Sequence, residues 1–170
     1  GGGLGIHAIQ VATAAGARVI AVTTSPDKIP AIESLGAEVV LSTEDLDFSE
    51  IVLALTADEG ADVILNTVGS AVFDSCLASL AQFGRMVILG EVESAKVNFN
   101  LTNILFRDAT ISGSTGASPS NIASALDMMS SGKIKPVIHQ RLGLAEAAEA
   151  FQLVRSHGAT GRVVLIPPAD

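Results

Sequence analysis

A cluster of glycines opens the chain and is its strongest chemical signal. Residues 1–5 read Gly-Gly-Gly-Leu-Gly and lead directly into an apolar stretch with helical spacing. In the loop Gly2-Gly3-Leu4-Gly5 the glycines have no Cβ atoms, so backbone N–H groups at a helix N-terminus can approach a pyrophosphate. Methyltransferases and simple turns also use such clusters, and a dinucleotide loop follows a strand, whereas this chain starts on the loop. Dinucleotide binding is therefore a hypothesis that the neighbouring elements must support.

Residues that carry catalysis or hold metals are few and scattered. The histidines are His7, His139 and His157, and none stands at metal-ligand spacing from a cysteine or a carboxylate. For His7, next to the glycine loop, a helix-surface role is favoured over contact with a ribose or phosphate. The chain has no tyrosine, which excludes the short-chain dehydrogenases, and Cys76 lies in a helical pattern typical of a buried side chain. We therefore predict no catalytic residue and no metal site within this chain.

The elements around these residues alternate between helical stretches and short β-branched apolar runs. This alternation is typical of βαβ units and predicts an α/β fold with a parallel sheet. Strands are predicted at 18–23, 38–41, 62–66, 85–89, 110–113 and 162–166, with helices at 4–15, 48–57, 71–82, 119–131 and 144–157, a further helix between Ser25-Pro26 and Gly36, and a turn at 132–136.

Composition limits the class of protein. With 48% hydrophobic and 16% charged residues the chain is expected to be globular. A net charge of −8 disfavours nucleic acid as a partner, because phosphate backbones attract basic surfaces. No apolar run approaches the ~20 residues of a membrane helix, and the single cysteine cannot form an internal disulfide. We expect a soluble cytoplasmic protein without a membrane partner.

Six short segments follow one another in a distinctive order. They are Gly2-Gly3-Leu4-Gly5-Ile6-His7-Ala8-Ile9-Gln10, Gly16-Ala17-Arg18-Val19-Ile20-Ala21, Leu35-Gly36-Ala37, Asn66-Thr67-Val68-Gly69, Phe83-Gly84-Arg85 and Gly161-Arg162-Val163-Val164-Leu165. As a set they resemble the medium-chain dehydrogenase/reductase superfamily, in particular its quinone oxidoreductase and zinc-type alcohol dehydrogenase-like branches. The resemblance implies that residues 1–170 form a single NAD(P)-binding domain, a Rossmann-type doubly wound parallel sheet lacking its usual first strand. It also implies that the family's GroES-like catalytic domain, which supplies zinc ligands and most substrate contacts, is absent.

The end of the second family strand indicates which cofactor is bound. NAD-dependent enzymes usually place Asp or Glu there to bond the ribose 2′-hydroxyl, whereas this chain has Thr23-Thr24-Ser25. Asp27 follows Pro26 and is better explained as a charge at a helix N-terminus. Ser25 and Lys28 could hold a 2′-phosphate, in a pattern similar to NADP-dependent members of the family, although an N-cap and a solvated lysine would look the same. We favour NADP, with NAD possible.

By resemblance, the carboxyl ends of later strands face the ribose and nicotinamide. For each residue the alternative is turn chemistry alone. The residues are Asn66, Thr67, Val68 and Gly69, then Leu89 and Gly90 in the segment Leu89-Gly90-Glu91, and finally Ser114 in the segment Gly113-Ser114-Thr115.

Three functions remain open. The first is the NADP(H)-binding domain of an oxidoreductase that moves hydride between nicotinamide and a carbonyl, alcohol or enone held by another domain. The second is a stand-alone or vestigial nucleotide-binding module without catalysis. The third, a methyltransferase-like nucleoside binder, is weakened because no acid stands at the end of the second strand. In the first case the isolated chain is expected to be catalytically incompetent.

Two assembly features are also predicted. A homodimer is expected through the edge strand 110–113, since family members often join their sheets there. The usual first strand lies between 18–23 and 62–66, and we predict that 162–166 fills that position, within its own chain or swapped between two chains, with the tail 167–170 near Gly1. The alternative leaves 162–166 on an outer edge.

Overall fold

The computed structural model describes residues 1–44 and 46–168. Among them, every pair of adjacent strands is parallel, and helices separate most of the strands along the chain. This arrangement confirms the predicted α/β class. The α-helices are α1 (Gly5–Ala14), α2 (Ile29–Glu33), α3 (Ser49–Leu55), α4 (Phe73–Ala78), α5 (Thr102–Leu105), α6 (Pro119–Ser130) and α7 (Ala147–Arg155). The strands are β1 (Ile20–Thr23), β2 (Val39–Ser42), β3 (Ala61–Asn66), β4 (Leu80–Ile88), β5 (Thr110–Gly113), β6 (Ile138–Gly143) and β7 (Arg162–Ile166).

The chain divides into two compact units. Unit 1 combines residues 1–42 with the described residues from Ser118 onward, and unit 2 is the segment 43–117. Unit 1 therefore contains α1, β1, α2, β2, α6, β6, α7 and β7, whereas unit 2 contains α3, β3, α4, β4, α5 and β5.

In unit 1 two small parallel sheets carry the framework. Strand β1 pairs with β2, and β6 pairs with β7. A core forms where Ile9 of α1 meets Ala21 of β1, Ile32 of α2 and Ala37. Burying these apolar side chains contributes about 25 cal/mol per Å². This core holds α1, which follows the glycine loop, against β1.

Unit 2 is built around a three-stranded sheet in the order β3-β4-β5. Met86 of β4 is fully buried, and Phe73, Cys76 and Leu77 of α4 are buried as well. Since β4 is the middle strand, β5 lies at one edge of this sheet.

The last strand does not occupy the predicted position. Residues 162–166 pair with β6 and with neither 18–23 nor 62–66, so the prediction that they replace a first strand is wrong. The reason is that 138–143, which we had not predicted as a strand, satisfies their backbone groups over the whole length of β7. The C-terminal residues 169 and 170 of the predicted tail lie outside the described residues.

The boundary between α4 and β4 also differs from expectation. A helix was predicted over 71–82, but α4 ends at Ala78 and β4 begins at Leu80, which pairs with Ala61. Within β4, Phe83 has a left-handed backbone (φ 59°), and its N–H donates to the carbonyl of Arg107 at 2.7 Å. The register of β4 against β3 shifts between Ala61 and Val63, and the pairing of Leu80 with Ala61 accounts for the early strand start.

Candidate functional site

The glycine loop and the N-terminus of α1 form the first half of the candidate site. The helix begins at Gly5, its N-cap residue Leu4 makes no side-chain hydrogen bond, and Ile6 N–H donates to the Gly2 carbonyl at 3.1 Å. A Cβ atom added at Gly2 or Gly5 would meet nothing within 4 Å. The loop therefore presents a helix N-terminus, with its partial positive charge, that no side chain of the N-cap residue covers.

A segment near the C-terminus lies against this loop. Gly2 forms a parallel bridge with Gly161, and the Gly161 N–H donates to the Gly1 carbonyl at 3.2 Å. A Cβ atom on Gly3 would lie 2.6 Å from both Cδ and Nε of Arg162, so the guanidinium rests directly on the loop. Our sequence reasoning did not identify Arg162 as a site residue, because its proximity depends on folding over about 160 positions.

His7 connects the same loop to the start of β6. Its Nδ1 lies 2.7 Å from the Gly3 carbonyl, and its Nε2 accepts the Val137 N–H at 3.2 Å. A carbonyl requires a donor and an N–H requires an acceptor, so the ring must carry its proton on Nδ1. The predicted helix-surface role therefore includes two specific hydrogen bonds that hold the loop.

The end of β1 presents hydroxyl groups. Thr23 is buried, and its Oγ1 accepts the Ser25 N–H at 3.1 Å, whereas Thr24 is exposed and Ser25 is half-buried. Ser25 precedes a 3-10 turn at Pro26–Lys28 without making a side-chain cap bond. No carboxylate occupies the positions of Thr23, Thr24 and Ser25.

Lys28 bonds through its side chain to the segment that follows α7. Its side chain is buried, and its ammonium donates to the carbonyls of His157 and Ala159, the latter at 2.9 Å. In this structure the bonds of the Lys28 ammonium go to these two carbonyls and not to a group at the end of β1. The physical reason is that these carbonyls, just beyond the end of α7, require donors, and a buried ammonium requires acceptors.

In unit 2, Asn66 organises the turn that follows β3. Its side chain is 2% exposed; Oδ1 accepts the N–H groups of Val68 and Gly69 at 3.0 and 2.7 Å, and Nδ2 donates to the Gly69 carbonyl at 3.0 Å. The amide of Asn66 is thus used within the turn. The backbone of Thr67 and the half-exposed side chain of Val68 remain at the surface of this edge.

The turn after β3 packs tightly on the end of β4. Leu89 N–H donates to the Asn66 carbonyl at 2.8 Å, and a Cβ on Gly90 would lie 2.7 Å from the Thr67 carbonyl oxygen. These strand ends, predicted to share one edge, are brought together. Ser114 lies one strand further along, where its N–H donates to the Ile88 carbonyl at 3.0 Å.

Glu91, which the resemblance placed with Leu89 and Gly90 at the end of a strand facing the cofactor, joins the two strand ends. Its carboxylate accepts the N–H and hydroxyl of Ser70 at 2.9 and 2.8 Å, and the N–H groups of Glu93 and Ser94 at 3.0 and 2.9 Å. The Ser70 hydroxyl, followed by these backbone donors, holds the pKa of Glu91 below its ordinary value.

The described residues offer little other chemistry. They contain no group of three or more His, Cys, Asp and Glu side chains that could hold a metal ion. Cys76 is buried, and burial raises the pKa of its thiol to about 12. In unit 1 an open cavity of about 400 Å³ lies beside Gln10, Thr13 and Lys133, towards the C-terminal end of α1 and so away from the glycine loop.

Comparison with known proteins identifies the family. Residues 3–131 match the sequence profile of the family described as "Zinc-binding dehydrogenase". The chain belongs to this family. The zinc-binding dehydrogenase match confirms the predicted resemblance to medium-chain dehydrogenases and covers their nucleotide-binding domain.

One curated relative is a reductase. The chain is 37% identical to the acryloyl-coenzyme A reductase of Sulfurisphaera tokodaii over 98% of its own length and 48% of that protein. The chain thus spans about half the length of the curated relatives it matches.

Two solved structures show the same fold. A crystal structure of an NAD-dependent alcohol dehydrogenase superposes with a TM-score of 0.85 at 34% identity, over 94% of this chain and 47% of the other. A mycobacterial protein complexed with NADPH superposes with a TM-score of 0.84 at 28% identity, over 98% of this chain and 55% of the other. The Rossmann-type α/β fold is thereby confirmed. In the part of the chain that the structure describes, no helix has the length and apolarity needed to span a membrane.

Proposed function

We propose that this chain is the NADP(H)-binding part of an oxidoreductase that moves hydride between the nicotinamide and a carbonyl, alcohol or enone substrate. The observation that carries the proposal is the uncovered N-terminus of α1 at the glycine loop, with the Arg162 guanidinium resting on Gly3. Such a site attracts a pyrophosphate. Membership of a dehydrogenase family supports the same conclusion.

The loop and Arg162 would hold the pyrophosphate together. Gly2, Gly3, Leu4 and Gly5 offer close backbone approach at the positive end of α1. Arg162 adds a permanent charge with several donors, suited to phosphate oxygens. The two features act on the same anion from different segments of unit 1.

The end of β1 supports a preference for NADP over NAD. Thr24 and Ser25 offer hydroxyl donors, and none of the positions 23–25 carries a carboxylate that would repel a 2′-phosphate. This proposal does not use Lys28, whose ammonium is bonded elsewhere. A mycobacterial neighbour that was solved with NADPH also supports it.

The nicotinamide half would lie in unit 2, against the backbone of Thr67, Val68 and Gly69 and of Leu89 and Gly90, with Ser114 further along the same edge. When bound, the cofactor supplies the hydride chemistry. The chain's own residues orient the ring, and the substrate would be held by the part of the protein that the relatives have in addition. Hence we assign no catalytic residue to this chain.

Titration of NADPH fluorescence tests this proposal. The chain should bind NADPH more tightly than NADH, and Arg162→Gln should weaken NADPH about 10-fold, in line with a lost charged hydrogen bond of about 1.5 kcal/mol. The matched control is Arg155→Gln, an exposed arginine at the end of α7. Ser25→Asp should reverse the preference towards NADH. If neither dinucleotide binds, the chain is a vestigial module and the proposal is wrong.

We further propose a cytoplasmic homodimer. Support for the dimer comes from β5, which lies at the edge of its sheet and offers unpaired backbone groups. Support for a reducing compartment comes from the single cysteine of the sequence, Cys76, which is buried as a free thiol.

A further inference from the structure

The carboxylate of Glu91, in unit 2, has several hydrogen bonds that the proposed function does not use. It accepts four hydrogen bonds, two from Ser70 and one each from the backbone of Glu93 and Ser94. An exposed carboxylate normally bonds water. Here it is instead surrounded by donors from two separate chain segments, one after β3 and one after β4.

The contact is close enough to fix the backbone. Gly69 has φ +97°, and a Cβ there would lie 2.5 Å from Oε2 of Glu91 and 2.8 Å from its Cα. Only glycine allows this approach without strain. The same two segments are joined again by the Val92 N–H, which donates to the Val68 carbonyl at 3.0 Å.

We propose that Glu91 is a positioning residue for the nicotinamide half of the cofactor. Its carboxylate holds the turn 67–70 against the segment 89–94, so that their backbone groups keep the spacing that a ribose and a nicotinamide require. Because it acts through the turn, Glu91 need not touch the cofactor. This inference rests on the proposed function.

The connection between the two segments depends on the carboxylate form of Glu91. Each of its four partners is a donor, so an acceptor-only carboxylate satisfies all of them. A glutamine of nearly equal size would turn an NH₂ group towards some of these donors. Glu91→Gln is therefore a small change in shape that breaks the connection between the two segments.

The test compares the whole cofactor with its adenosine half. Wild-type protein and Glu91→Gln are titrated with NADPH and with adenosine 2′,5′-bisphosphate, which lacks the nicotinamide and its ribose. We expect NADPH to bind at least 10-fold more weakly to the variant, with binding of the bisphosphate unchanged within 2-fold. The control is Glu93→Gln, an exposed acid two positions away that makes the same change in charge; it should leave both affinities unchanged.

The outcomes separate the two ideas. If wild-type protein binds neither ligand, the proposed function fails. If it binds both and Glu91→Gln binds NADPH as tightly as wild type, the function stands and the positioning role is overturned. An equal loss for both ligands would also overturn it, since that indicates general damage.

A second variant tests the same contact from its other side, in case Glu91→Gln does not fold correctly. Ser70→Ala removes one of the four donors and should weaken NADPH 2- to 3-fold. In a double-mutant cycle the two substitutions should not be additive, because they break the same contact. Fully additive effects would contradict the proposal.

Discussion

Lys28→Met tests whether the buried lysine stabilises the fold or binds the cofactor. Methionine keeps most of the aliphatic stem but removes the ammonium, leaving the carbonyls of His157 and Ala159 without this donor. The Ala159 bond is buried, and an unsatisfied buried carbonyl costs about 1–3 kcal/mol. The His157 bond is only partly buried, so its loss costs about 1 kcal/mol.

Together these losses predict that the free energy of unfolding falls by about 2–4 kcal/mol. For a chain of this size that corresponds to a Tm lower by roughly 5–15 °C. Thermal unfolding followed by circular dichroism measures it, with Lys133→Met as the control, since Lys133 is exposed and should change stability by less than about 0.5 kcal/mol. The ratio of NADPH to NADH affinity should stay the same. Unchanged stability together with a lost NADPH preference would refute this reasoning and would indicate that Lys28 binds the 2′-phosphate.

Three further predictions follow from packing, burial and sheet topology. Gly69→Ala should destabilise the protein by at least about 2 kcal/mol in urea denaturation, because the added Cβ would collide with Glu91 and the backbone has φ +97°. The control is Gly113→Ala, whose added Cβ would meet no atom within 4 Å and should cost under about 1 kcal/mol. Equal costs would contradict the packing argument. The pKa of the Cys76 thiol is raised to about 12, and only the thiolate attacks a disulfide reagent. At pH 8 the thiol should therefore react roughly 1000-fold more slowly in the folded protein than in urea. Fast labelling of the native protein would show that the thiol is accessible. Sedimentation should show a dimer formed through Thr110–Gly113, and a 17.3 kDa monomer at high concentration would count against it.

Most of the fold could be predicted from local sequence. Gly16 and Gly36 were expected to close the first two helices, and both adopt positive φ just beyond them. Strand β6 was missed because His139, Gln140 and Arg141 interrupt its apolar pattern, and only pairing with β7 makes it a strand. Local signals identify elements that carry their own apolar periodicity, but not those stabilised mainly by a distant partner.

The candidate site shows the same division. The glycine loop and the strand ends were predictable because glycine and turn residues mark them. The directions of Lys28 and Arg162 were not, since each contacts residues more than a hundred positions away. The place of Glu91 at a strand end was expected, but its four hydrogen bonds were not, because their donors lie on two separate segments.

The division of the chain into a continuous and a discontinuous unit has a consequence for the order of folding. Unit 2 is one uninterrupted segment, 43–117, and can complete its contacts as soon as that segment has left the ribosome. Unit 1 must wait, because Lys28 and the glycine loop bond to groups beyond Ser156. Closing such a long loop costs only slightly more free energy than closing a short one, but contacts of large sequence separation form slowly. During synthesis the loop proposed to bind pyrophosphate therefore stays without these contacts until the segment beyond Ser156 has emerged.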